Sequence, residues 1–172
     1  GGTVTTSGSG TISLSTTTSG NIEVNAAVST GAASSVNLTS AGTITDANGD
    51  DTTTDITTGG LTITSATSVG DTADDALNIS ATTLTITATT GDVFITEANG
   101  IGLGTVNTAA NALNIRTITG NITDSTSNVT AGNLTLTATD TDAAVGANGS
   151  EIAVTLSGTL TASASDGAGG VF

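Results

Sequence analysis

The chain contains no cysteine, histidine, lysine, proline, methionine, tryptophan or tyrosine, and its only cation is Arg116. Without imidazole, thiol, amine or phenol groups, proton transfer and nucleophilic attack fall to carboxylates, hydroxyls and backbone amides alone. A structural or adhesive role is therefore expected rather than an enzymatic one, and no catalytic residue is assigned. The lack of cysteine fits an exported chain and a reducing compartment equally well. One cation against 15 acids gives a formal net charge of −14. Nucleic acid and anionic membranes are poor partners for such a chain, because phosphate binding needs Lys and Arg to displace counterions; divalent cations suit it better. Only 9% of the residues are charged, so the surface is neutral and hydroxyl-rich with sparse acids, unlike a dense acidic tail. No stretch approaches the roughly 18 apolar residues of a membrane helix, so membrane insertion is not expected. The first fifteen residues have neither a basic nor an apolar signal region, so either targeting signals have been removed or the 172 residues are an internal segment.

What the chain does contain is 41 Thr, 23 Gly, 18 Ser and 13 Asn, around 13 Ile, 11 Leu, 11 Val and 2 Phe. That aliphatic content is close to the level below which a charged chain stays disordered. The order of the residues argues for folding. Leu61-Thr-Ile-Thr64, Leu84-Thr-Ile-Thr87 and Leu134-Thr-Leu-Thr137 are one strand written three times, with aliphatics on one face and hydroxyls on the other. With Ile12, Val36, Leu113 and Leu160 they form a track whose steps are 24, 25, 23, 29, 21 and 26 residues, about 25 on average. A second track runs through Ile22, Ile44, Val69, Val93, Ile118 or Ile122, and Val145, and a third through Val28, Ile56, Ile79, Leu103, Val129 and Val154.

Three short strands per period predict an all-β parallel β-solenoid (β-helix) of about seven coils, in which each strand pairs with its counterpart one coil later. The inward set is Ile63, Leu84, Ile86, Val93, Ile95, Leu113, Ile115, Leu134 and Leu136. Ala-Asn-Gly recurs at 47–49, 98–100 and 147–149, where Asn-Gly supplies positive φ at corners. The same dipeptide marks tight hairpins, so an antiparallel β-sandwich or jelly roll is the alternative. Nothing has a helical period.

The stretch Leu84-Thr-Ile-Thr-Ala-Thr-Thr-Gly-Asp-Val-Phe-Ile-Thr-Glu-Ala-Asn-Gly-Ile-Gly-Leu-Gly-Thr-Val106, with Ala112-Leu-Asn-Ile115, Gly120-Asn-Ile-Thr-Asp124 and Ala131-Gly-Asn-Leu-Thr-Leu-Thr137, resembles filamentous-haemagglutinin-type repeats of very large bacterial surface proteins. The resemblance covers about residues 60 to 140 well and the flanks loosely. It implies a right-handed β-helix exported to the cell surface, working as a stalk, filament or adhesin. Residues 1–172 then form one solenoid segment of a longer repetitive chain or of a filament.

Several constellations bear on binding. Asp46-Ala-Asn48-Gly-Asp50-Asp51 alternates oxygen ligands around a glycine, the way calcium loops are built. Asp46, Asn48, Asp50 and Asp51 are accordingly the candidate calcium ligands, with solvated turn carboxylates the plain alternative. Asp71, Asp74, Asp75, Asp140 and Asp142 make looser clusters. The Asp50-Asp51 and Asp74-Asp75 pairs evoke a two-carboxylate glycosidase, but adjacent strand residues point to opposite faces. Thr pairs at 62/64, 85/87 and 135/137 look like the hydroxyl ranks of ice-binding solenoids, although their uneven spacing would spoil a flat lattice. The six Asn-x-Ser/Thr sequons are no more than the composition produces by chance. Arg116 reads as an accidental surface cation or as a partner for Asp92 or Asp124.

The function expected is an extracellular, cell-surface fibre or adhesin segment. A calcium-organised surface-layer or matrix protein and a donor-strand pilus subunit are the alternatives. Both terminal coils lack Pro and Lys to blunt their strand edges. Head-to-tail self-association or continuation in a longer chain is therefore the expected partnership, with a carbohydrate or a host or neighbouring cell surface as target.

Overall fold

A computed structural model describes residues 2–47, 53–87, 89–165 and 170–172. Its strands, in chain order, are β1 (Val4–Thr5), β2 (Ile12–Ser15), β3 (Ile22–Val24), β4 (Val28–Ser29), β5 (Ser35–Thr39), β6 (Thr43–Asp46), β7 (Ile56–Ser65), β8 (Ser68–Val69), β9 (Leu77–Ile86), β10 (Val93–Glu97), β11 (Ile101–Asn107), β12 (Leu113–Thr117), β13 (Ile122–Ala131), β14 (Leu134–Ala138), β15 (Val154–Leu156) and β16 (Leu160–Ala164). Every strand pairs parallel with the strand one coil away, and all belong to one continuous sheet. This is the parallel β-solenoid. The antiparallel alternative survives only as local turns, such as the one closed by Ala147 and Ser150 around Asn148-Gly149, where Gly149 has φ +80°. Gly100 is not in that positive-φ region, and the corner at 48–49 lies outside the described residues.

One column stacks Ile22, Ile44, Val69, Val93, Leu113, Leu134 and Leu160, seven rungs at intervals of 20 to 26 residues. The longest stacks Val4, Val28, Ile56, Ile79, Glu97, Thr117, Ala138 and Ala164, eight rungs. At about 4.8 Å per rung the eight-rung column is about 34 Å long. Aliphatic side chains on alternate positions stack on their equivalents above and below and join one continuous core, so a thin prism is filled by one or two side chains per strand. All nine residues predicted inward are at most 2% exposed.

The first two predicted tracks hold for four rungs and the third for three, and then they exchange faces. Leu84 stacks on Leu103, not on Leu113, and Leu113 stacks on Val93. Ile79 pairs with Glu97 rather than Leu103, and Val93 is followed by Leu113 rather than by Ile118, which is exposed. The cause is a loop. Val69 and Leu77 flank residues 70–76, yet both pair with the single strand β10, Val93 to Val69 and Ile95 to Leu77. Residues 70–76 of the third coil are thus pushed out of the ladder, two sides of the coil become one straight strand, and β12, β14 and β16 copy it. The 29-residue step between Leu84 and Leu113 joins two different columns.

A second device recurs at the strand starts. Asn21, Asp92, Asn121 and Asn133 each follow a glycine and precede an inward aliphatic, and each side-chain Oδ1 accepts an N–H from the next coil. The donors are Thr43 (3.0 Å), Ala112 (2.8 Å), Ala144 (2.8 Å) and Thr159 (2.9 Å), the residue just before the stacked aliphatic in every case. The side chain thereby extends the backbone ladder by one acceptor. The fit is tight: a Cβ on Gly158 would collide with the Asn133 carboxamide oxygen and come within 2.9 Å of the Gly132 carbonyl.

Gly158→Ala is therefore expected to destabilise the chain by about 1–3 kcal/mol, as overpacking does. Asn133→Ala should cost about 1 kcal/mol, as a lost hydrogen bond does. Chemical denaturation of both single variants and the double variant checks the coupling, because removing the Asn133 side chain frees space for the new methyl and makes the two costs less than additive.

Candidate functional site on the straightened face

The displaced loop and the straight strands beside it make a groove. Outward positions of β10, β12 and β14 form two files running along the axis, Phe94-Asn114-Thr135 and Thr96-Arg116-Thr137. Neighbours within a file are about 4.8 Å apart and the files about 6.6 Å apart, two residues along a strand. Residues 73–76 stand over them as a wall, enclosing about 290 Å³. The loop is held down by Gly70 at φ +67°, where a Cβ would lie 2.6 Å from the Phe94 carbonyl oxygen. Its far end is closed by backbone bonds from the Asp71 N–H to the Asp75 carbonyl (2.9 Å) and between Thr72 and Asp75. Phe94 and Arg116 are half-buried, Thr96 is buried, and Asp74 stands exposed on the wall. The guanidinium of Arg116 forms no hydrogen bond or ion pair among the described residues. Asp92 is engaged with the Ala112 N–H, and Asp124 belongs to the face carrying Leu103, so neither acid suggested by the sequence meets Arg116.

On the opposite side of the same strand, Glu97 points inward with no exposed surface. Its carboxyl accepts N–H groups from Ala81 (2.9 Å) and Asn99 (3.0 Å). Burial outweighs those two bonds and pushes its pKa up to about 7. Glu97 shares the inward parity of Val93 and Ile95, a signal carried by the sequence outside the three aliphatic tracks. Asp55, buried two coils from Glu97, accepts the Asn78 N–H at 3.1 Å through Oδ2.

Of the candidate calcium ligands, Asp46 is buried at an inward position of β6, stacked on Val24. Asn48, Asp50 and Asp51 lie outside the described residues, as does the Asp50-Asp51 pair of the two-carboxylate reading. Among the described residues no three His, Cys, Asp or Glu side chains gather in a way that would hold a metal. Asp140 and Asp142 flank a turn in which Asp142 has φ +63° and the Asp140 carboxylate accepts the Thr141 N–H. The hydroxyl ranks are not one array. Thr62 stacks on Thr85, and the Thr87 hydroxyl is bonded to the Thr64 carbonyl at 2.9 Å, whereas Thr135 and Thr137 lie on the straightened face. Among the described residues no helix is long and apolar enough to cross a membrane.

Comparison of the chain with protein-family models, curated proteins and solved structures finds no match.

Because the Glu97 pKa in the folded chain, about 7, lies above the ordinary 4.5, the folded state favours its protonated form. Its contribution to stability is complete below pH 4.5, declines as the pH rises to about 7 and is constant above that. Relative to Glu97→Gln, the parent chain should lose about 3 kcal/mol over this window. Urea unfolding of both proteins across pH 4 to 8 measures the difference, and a parallel pH dependence of the two would contradict it.

Proposed function

We propose that this chain is a non-enzymatic segment of an extracellular fibre or adhesin, whose work is to span distance and present its outer faces. The observation that carries the reading is the uninterrupted seven-rung column from Ile22 to Leu160. A structure whose every coil rests on the one before grows in one dimension, and its length is set by the number of coils. Outward strand positions are mainly Thr, Ser and Asn, which offer hydroxyls and amides to solvent or to a surface. The resemblance to filamentous-haemagglutinin-type repeats supports right-handed winding and export to the cell surface. On this reading an antibody raised against the chain labels intact source cells, and protease added outside removes the label. Labelling only after permeabilisation would overturn the assignment.

The open rungs support association along the axis. Among the described residues β16 pairs on one side only, with β14, and its inward-type Leu160 is 53% exposed; at the other end Val4 is 43% exposed. A further rung, from the same chain or from a second copy, would cover them. Sedimentation of the 172-residue chain should show mass rising with concentration, and Leu160→Lys, which sets a charge on the open edge, should abolish it. A monomer throughout contradicts stacking between copies.

A further inference from the structure

We infer that the groove on the straightened face binds a hexuronate, a six-membered sugar ring carrying one carboxylate. The assignment starts from charge. Arg116 is the only cation in a chain of net charge −14, yet among the described residues no acid pairs with it. A guanidinium left half-buried and unpartnered among so many carboxylates is a vacant bidentate donor of the geometry that a carboxylate fits. Within the same groove lies Phe94, one of only two aromatic rings in the chain. An aromatic ring and a cation lining one groove select a ligand with a flat C–H-rich side and an anionic substituent. The remaining positions choose between ring types. Asn114, Thr135 and Thr137 line the floor with donors and acceptors, and the Asp74 carboxylate on the wall is an acceptor for sugar hydroxyls. A polyhydroxylated ring satisfies these groups, and a plain aromatic acid does not. The volume of about 290 Å³ sits at the lower bound of small-molecule sites and suits one ring rather than an oligomer held end to end.

The site exists because the fold departs from its repeat. Without the displacement of residues 70–76, Phe94 and Arg116 would stand on an open sheet with no wall. Gly70, pressed against Phe94, keeps that wall in place. The proposal does not depend on the fibre reading, since the groove lies on one straight face of the solenoid whatever the length of the whole.

The chain supplies its own reporter. A single arginine gives a single Nε–H resonance in a nitrogen-15 correlation spectrum, so titration with glucuronate at physiological ionic strength reads Arg116 directly. The expected result is a saturable shift of that resonance, with a dissociation constant on the order of 1 mM, as a one-ring ligand on an exposed groove allows. Glucose and acetate, each carrying half of the recognised chemistry, should bind at least tenfold more weakly. Phe94→Ala should weaken glucuronate binding severalfold while the Arg116 signal still reports it. In Arg116→Gln, backbone amides of Asn114 and Thr135 should no longer shift, with the remainder of the spectrum unchanged. An Arg116 resonance that stays still to tens of millimolar glucuronate overturns the proposal. So does a response to acetate equal to that of glucuronate, which would mean simple charge pairing, or an equal response to benzoate, which would remove the sugar from the assignment.

Discussion

Each coil of this chain donates and accepts its backbone hydrogen bonds along the axis, to the coil below and the coil above, and nearly everything else follows from that. Parallel in-register pairing places residue on residue at about 4.8 Å, so an inward aliphatic is covered chiefly by the inward aliphatics of neighbouring rungs. One or two such residues per strand then suffice, which is how a chain of 37 Ile, Leu, Val and Phe in 172 residues closes a core. Outward positions carry no such demand and are filled by threonine, whose branched Cβ suits a strand and whose hydroxyl suits water. The Asx residues at strand starts serve the same ladder, supplying a side-chain oxygen where the backbone of the lower coil has none to offer.

The ladder tolerates insertions only by expelling them sideways. Residues 70–76 leave the sheet, and the strands after them take a straighter path. The departure gathers unlike residues. Phe94 and Arg116 face the groove beneath the loop, and Glu97 turns into the core one position beyond Thr96. Regular rungs provide length and the irregular one provides a shaped surface, a division found generally when binding residues sit on loops held by a rigid scaffold.

Much of this is legible in the sequence itself. The alternation in Leu84-Thr-Ile and Leu134-Thr-Leu identified strands and their inward sides, because period two has only one structural meaning when one face is buried. Which strand lies on which was less legible. Leu113-Asn-Ile115 matches Leu84-Thr-Ile86 as well as it matches Val93-Phe-Ile95, and what separates them is a loop whose residues carry no periodic pattern. Glu97 was readable in principle, two positions after Ile95 on the inward parity. The groove was not, since it depends on a wall brought from another coil, and the solitude of Arg116 is a property of distances that spacing cannot express. Three of the four candidate calcium ligands fall outside the described residues, and the fourth, Asp46, sits inward because it continues the parity of Ile44.

The claim on which the rest stands is the stacking order at the exchange of faces. The chain has no cysteine of its own, so any introduced pair is the only pair of thiols. Phe94 and Asn114 are register partners on adjacent coils, within the Cα separation that a disulfide bridges. Oxidation of Phe94→Cys/Asn114→Cys should therefore close an intramolecular disulfide rapidly in the folded chain, whereas Thr85→Cys/Asn114→Cys, which would be neighbours if Leu113 followed Leu84, should stay reduced. Closure of the second pair and not the first would contradict the ladder described for this protein.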